Sequence, residues 1–302
     1  MAHGHVNTRF VEKEFDYTKP KTLAEALETL ATKQDLKILA GGTDLIVKLK
    51  EGAIPAMEHM MDINGLEDLC KYTIDPAKGV RIGTGVKLSA LEKDAAIAKN
   101  WPGLVDAILA MASISVRNLA SIGGNICNAS PGADTAGPFI CYKATLELAS
   151  KRGVRTMPVE DFFKGGTKTA LETDEMLTFI NVPMPDPNTG AAFIKMSRIK
   201  ADLAKLSITA VLHREGDKVG SLRMSMASLA STPLFLKEAC EAAEGKKMSA
   251  ELIDEILTIV NGTIRPRDGG NRTTGAYRRD VAPIITRDAL KRAWELSGGE
   301  LV

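Results

Sequence analysis

SIGGNICNASPGAD, residues 121–134, decides how this chain is read. It places two adjacent glycines, two asparagines, two serines, a proline and an aspartate between segments with the pattern of ordinary core. A second stretch, LAGGTDL at 39–45, has the same design: an apolar run enters Gly-Gly and leaves through a short polar residue. Glycine pairs permit positive φ and let a ligand approach the backbone closely. Turns with exposed N–H groups make concavities suited to phosphate. Thr43 and Asn125 add polar side chains where each turn ends, so the two are expected to grip the ends of one pyrophosphate. Either one alone reads as a tight turn, and their repetition carries the functional reading.

The other nucleotide motifs fail. Gly83-Thr84-Gly85 is followed by Val86, Lys87 and Leu88, so the third glycine of the dinucleotide fingerprint is missing. No phosphate loop of the form GxxxxGK(S/T) occurs. A nucleotide bound here needs a fold outside those two classes.

Composition bounds the rest. The 302 residues allow about two domains. A content of 44% hydrophobic and 25% charged residues is that of a globular chain, and a net charge of +1 offers no broad basic face to nucleic acid. No apolar run is long enough for a membrane span, and the N-terminus has no signal-peptide core, so a cytoplasmic protein is expected. Cys70, Cys127, Cys141 and Cys240 are too far apart for a zinc or iron–sulfur motif. The four histidines are as scattered, so no metal of its own is expected.

Along the chain, 22–32 reads as an amphipathic helix capped by Thr22, 37–40 as a strand and 44–52 as a helix. HMMDING at 59–65 reads as a strand entering a turn. GVRIGTGVKLSALEKD reads as strand, glycine turn and a helix from near Ser89, and 104–113 as a helix. PFICYKA is expected helical, and TLELAS an alternating strand with a turn at Arg152-Gly153. The segment 175–192 carries three prolines and a glycine, and a boundary is placed at 183–191. Beyond it, strands at 192–199 and 206–229 precede helices at 234–244 and 249–261. Strands and helices mix without strict alternation, which favours an α+β fold over a doubly wound sheet.

Four stretches together, ILAGGTDL, RNLASIGGNICNASPGAD, FIKMSRIKADLAKLS and NRTTGAYRRD, resemble the FAD-binding subunit of molybdenum hydroxylases, the family of xanthine dehydrogenase and molybdenum carbon monoxide dehydrogenase. The resemblance spans essentially the whole chain in order and spacing. It implies a two-lobed FAD-binding domain of the vanillyl-alcohol oxidase type at 1–185, with lobes of about 1–60 and 61–185, then a small α+β domain at 190–302. It assigns the first flavin loop to Lys37, Leu39, Ala40, Gly41, Gly42, Thr43, Asp44 and Leu45. The second comprises Ser121, Ile122, Gly123, Gly124 and Asn125, with Asn128, Ser130 and Asp134 close by.

Leu177 matches an apolar position against the flavin rings, and Lys195 a lysine near the flavin. A cation there would stabilise the negative charge that a flavin gathers on reduction, although an ordinary surface lysine is an even alternative. Asp134 is expected to accept hydrogen bonds from ribityl or ribose hydroxyls, because pyrophosphate would repel it; the competing reading is a helix cap ahead of Pro138. Cys127 is read as a packing thiol. The arginines at 265, 267, 272, 278 and 279 are expected at a polar subunit interface.

The implied assembly adds a [2Fe–2S] iron–sulfur subunit and a molybdopterin large subunit as separate chains, arranged as a dimer of heterotrimers. Electrons would pass through FAD to NAD+, a ferredoxin or a quinone. Two other readings stay open on sequence: a self-sufficient flavin oxidase, for which no histidine or cysteine stands at a convincing attachment point, and a non-catalytic FAD-binding assembly module.

Overall fold

The structure, a computed structural model, describes residues 14–53, 57–266, 268 and 273–300. His3, His5, Arg267 and Arg272 lie outside the described residues.

The first unit alternates strand and helix: β1 (Asp16–Thr18), α1 (Leu23–Thr32), β2 (Leu36–Leu39), α2 (Leu45–Lys50) and β3 (His59–Asp62). Its three strands are parallel, in the order β1-β3-β2. Thr22 caps α1 by accepting from the Glu25 N–H, and the face carrying Ala26 and Leu30 is buried on Met61, Ile63, Leu66 and Leu69. Because β3 runs to residue 62, this sheet crosses the lobe division expected near 60.

Next come β4 (Tyr72–Asp75), β5 (Gly79–Gly83), six short helices and a return to the sheet. The helices are α3 (Leu88–Lys93), α4 (Ala95–Asn100), α5 (Pro102–Leu109), α6 (Ile114–Leu119), α7 (Ile122–Cys127) and α8 (Ala136–Cys141). They are followed by β6 (Thr145–Ser150), β7 (Gly153–Pro158), the small pair β8 (Phe163–Gly165) and β9 (Lys168–Thr169), and β10 (Met176–Val182). The five long strands form an antiparallel sheet, β4-β5-β10-β6-β7. Trp101, Phe139 and Phe162 are fully buried between it and the helices, each worth about 1.5–3 kcal/mol or more in apolar burial. The Gly-Thr-Gly at 83–85 is a packing device. An added Cβ on Gly83 would lie 2.3 Å from the Leu69 carbonyl oxygen, and the Gly85 N–H donates to that same oxygen at 2.7 Å.

The last unit is a four-stranded antiparallel sheet of β11 (Thr189–Met196), β12 (Leu206–Glu215), β13 (Lys218–Ala227) and β14 (Leu234–Phe235), paired in sequence order. It is covered by α9 (Lys237–Glu241), α10 (Ala250–Thr263) and α11 (Gly275–Leu296). Close packing of α11 on β11 depends on Gly190, where a Cβ would meet the Ala293 carbonyl oxygen at 2.0 Å. Among the described residues no helix is long and apolar enough to cross a membrane.

Three expectations change. The glycine pair at 123–124 is not in a turn like that at 41–42: Ile122–Cys127 is a helix. The helix expected from 234 begins at Lys237, because Leu234 and Phe235 pair with β13. The basic stretch after 264 leads into the longest helix among the described residues, for which the sequence predicts no element. Of its arginines, Arg278 is buried and its Nε donates to the Lys205 carbonyl at 3.0 Å, so it serves this chain's own fold.

Candidate functional site

A cavity of about 680 Å3 opens between the β2–α2 loop, the segment from α7 to Asp134, and the start of β10. That size suits a cofactor. Every residue assigned to the site from sequence lines it except Leu39, Ile122 and Lys195.

The first loop follows from its two glycines. Gly41 lies against the end of α6, where a Cβ would stand 2.3 Å from the Leu119 carbonyl oxygen and 2.7 Å from the Ala120 Cα. Gly42 is in the left-handed region, φ +71°, which reverses the chain into α2. Asp44 stands at the N-cap of α2 without a side-chain cap bond, so its carboxylate is not spent there. One turn on, Lys48 reaches across the cavity rim and donates to the Asn128 Oδ1.

The second glycine pair works differently from the first. Ser121 caps α7, its Oγ accepting from the Gly124 N–H at 3.1 Å. The Ile122 N–H donates to Val86 O, the Gly123 N–H to Thr84 O at 3.0 Å and the Asn125 N–H to Ser121 O. These amides are engaged within the chain, so the expected symmetrical clamp of backbone donors is not what α7 presents. Gly123 is needed for close approach, since a Cβ there would fall 1.7 Å from Thr84 Oγ1. The loop brings the Asn125 side chain to the cavity, its Oδ1 accepting from Thr135 Oγ1 at 2.6 Å.

Asp134 and Lys195 form the most buried charged pair of the site, with side chains 3% and 4% exposed. Lys195 Nζ donates to Asp134 Oδ2 at 2.8 Å and to the Ala110 carbonyl at 2.8 Å. The other carboxylate oxygen, Oδ1, is buried without a hydrogen-bond partner. Burial pushes the Asp134 carboxyl up to about 6 against the pull of Lys195. Asp134 does not cap α8, whose N-cap is Thr135. Lys195 acts from behind the wall, because its side chain lines a neighbouring cavity of about 380 Å3 with Phe193, Lys200 and Arg292. Cys127 lines the main cavity, and burial pushes its thiol up to about 12, which favours the protonated form.

Sequence reasoning missed Lys48, Met111, Ala112, Thr84 and Leu203, all of which line the cavity. Lys48 had a signal: it follows Asp44 by four residues and so shares its helical face. Ala112 had none, because nothing about an alanine announces its φ of +46°.

What this arrangement offers is a partly apolar cleft lined by Lys37 and Lys48 and by Asp134, one of whose carboxylate oxygens is unshared. Comparison with known proteins bears on the chain as a whole. The pattern described as "FAD binding domain in molybdopterin dehydrogenase" matches residues 13–185, and "CO dehydrogenase flavoprotein C-terminal domain" matches 191–293. The xanthine dehydrogenase FAD-binding subunit of Escherichia coli O157:H7 is 30% identical over 287 residues, covering 94% of this chain and 98% of the relative. The carbon monoxide dehydrogenase medium chain of Afipia carboxidovorans is 31% identical over 281 residues, covering 92% and 96%. Among solved structures, carbon monoxide dehydrogenase from Hydrogenophaga pseudoflava superposes with a TM-score of 0.89 at 29% identity, over 94% of this chain and 98% of that one. The chain therefore belongs to the FAD-binding medium subunits of the molybdenum hydroxylases, an oxidoreductase flavoprotein family.

Proposed function

We propose that the cavity between the β2–α2 loop and Asp134 is the FAD site, and that through it the chain passes electrons from the [2Fe–2S] clusters of an iron–sulfur subunit to NAD+ or another soluble acceptor. The rest of the assembly in this reading is a molybdopterin large subunit, and two such heterotrimers pair in the cytoplasm. When bound, FAD supplies the conversion between single-electron and paired-electron transfer.

The observation that carries the site is the Asp134 carboxylate. A buried oxygen without a partner is costly, and native chains leave one where a ligand completes it. In this reading Oδ1 accepts from a ribityl or ribose hydroxyl once the cofactor is seated, while Lys195 holds Oδ2 and offsets the negative charge. That neutralisation removes the objection to a carboxylate near a pyrophosphate. Lys48, four residues after Asp44 and also lining the cavity, is a cation that this reading assigns to phosphate oxygens. Met176, Leu177 and Leu171 give the slot an apolar side that excludes water from a flat ring system.

The test is FAD content after gel filtration of the full-length chain. Asp134→Ala is expected to lose most of its flavin while keeping the wild-type far-ultraviolet circular dichroism. Full retention of flavin would remove the carboxylate from the site. Reduction of the bound flavin by NADH, and co-purification with two partner chains, test the acceptor and the assembly.

A further inference from the structure

Between α5 and α6 the chain turns through Ala110, Met111 and Ala112, and the last two form part of the cavity wall. Its amides are held locally, the Ala110 N–H donating to Asp106 O and the Met111 N–H to Ile108 O, both at 3.0 Å, and its carbonyls are held from elsewhere in the fold. Ala112 sits at φ +46°, a conformation a residue with a Cβ keeps only where its surroundings impose it. Two cations bind the carbonyls of this turn. Lys195 Nζ donates to Ala110 O at 2.8 Å. Arg117 Nη1 donates to Met111 O at 2.8 Å and to Ala112 O at 3.2 Å. Three consecutive carbonyls are thereby fixed by charged donors, and the Asn125 Nδ2 contacts Met111 Sδ at 3.8 Å.

Arg117 is itself held. Its Nε donates to Glu92 Oε2 on α3 at 2.5 Å, and the two side chains are 8% and 7% exposed. The guanidinium uses one edge for the carboxylate and the other for two backbone oxygens, a division the single ammonium of lysine does not reproduce. Arg117 is absent from the cavity lining, so whatever it does for a bound molecule it does through the wall.

We propose that Arg117 is a positioning residue for the flavin: braced by Glu92, it sets where the Met111–Ala112 wall meets the cofactor. The inference rests on the reading of this cavity as the FAD site. Loss of a charge-assisted bond that shapes a wall weakens a ligand against that wall even when the ligand never touches the charge.

The experiment compares wild-type, Arg117→Ala, Arg117→Lys, Glu92→Gln and Asp134→Ala full-length chains. FAD affinity is read by fluorescence titration, and the wall's position against the ring by visible circular dichroism of the bound flavin. Arg117→Ala is expected to bind FAD about tenfold more weakly with an altered visible spectrum. Guanidinium at a non-denaturing concentration is expected to restore both, and methylammonium neither. A folded Arg117→Ala with wild-type affinity and spectrum overturns the proposal, as does rescue by methylammonium to the same extent.

Should Arg117→Ala not fold, Arg117→Lys and Glu92→Gln decide in its place: an altered visible spectrum supports the proposal, and a native one overturns it. If none of the three folds, Arg117 is a core residue only, and the proposal falls. Asp134→Ala separates the two readings. Flavin lost in Asp134→Ala but kept in every Arg117 variant overturns the positioning role alone, while flavin kept in both sets overturns the site as well.

Discussion

The two oxygens of Asp134 have different environments, and a pH dependence follows. In the unfolded chain this carboxyl titrates near 3.8, and in the fold at about 6. The folded chain therefore binds the proton more tightly, so this group's contribution to stability is fully present below about pH 4 and is lost as pH rises through 6. A hydroxyl donating to Oδ1 favours the ionised form and lowers that value in the complex. FAD affinity is accordingly expected to rise with pH through about 6 and then level off. Titrations on either side of pH 6 check this, and Asp134→Asn should flatten the profile.

At this scale the sequence was informative where a residue type has few uses. Paired glycines, and an aspartate in a small polar run, led to residues that do line the cavity. It was uninformative about aim. Lys195 was singled out as a cation near the flavin, yet alternation along β11 puts it beside Phe193 in the adjoining cavity, with its charge on Asp134.

Helix α7 shows how an element can form against its own propensities. Ile122–Cys127 contains two glycines, an asparagine and a cysteine, all poor helix formers. What makes it helical is tertiary. The loop 84–86 receives its first two amides, and Ser121 receives the next. Ser121→Ala is expected to cost about 1 kcal/mol, measured by denaturant unfolding, with Ser121→Thr restoring most of it.

The opposite failure occurred at α11, where a helical signal was present but weak. Buried positions at 282, 285, 289, 290 and 293 keep helical spacing, but three of them are alanines, and Pro283 interrupts the pattern. Small residues are what the close approach to Gly190 requires. The geometry that seats this helix also mutes its apolar signature.

Across the whole molecule, the four-stranded sheet is fastened to α5, to α8 and to the loop just before Asp134. Arg223 Nε donates to Ile140 O at 3.1 Å and its Nη2 to Glu160 at 2.7 Å. Arg292 pairs with Asp106, and the Ser228 N–H donates to Pro131 O at 2.7 Å in the loop just before Asp134. At the centre of this seam Gly137 of α8 faces β12, where a Cβ would lie 2.7 Å from Thr209 Oγ1. Gly137→Val is expected to destabilise the chain by about 1–3 kcal/mol through overpacking. Calorimetry should show one transition in the wild type and a broadened or split one in the variant. The Pro-rich stretch expected as a boundary at 183–191 contains the connection between β10 and β11, residues 183–188, and runs three residues into β11. The seam itself was not legible there, because its contacts join residues tens of positions apart.

The glycines that first drew attention have a consequence for reading descent. What forbids a methyl group at 41 is the Leu119 carbonyl, and at 123 the Thr84 hydroxyl; neither obstacle belongs to a nucleotide. A lineage that had abandoned its flavin would still inherit both glycines, since losing either would cost it the fold. Their persistence in a distant descendant therefore testifies to architecture alone. The acid at 134 is tied to the fold through one oxygen, which holds the buried Lys195, and leaves the other unshared inside the protein; that second oxygen is the feature the architecture alone does not explain.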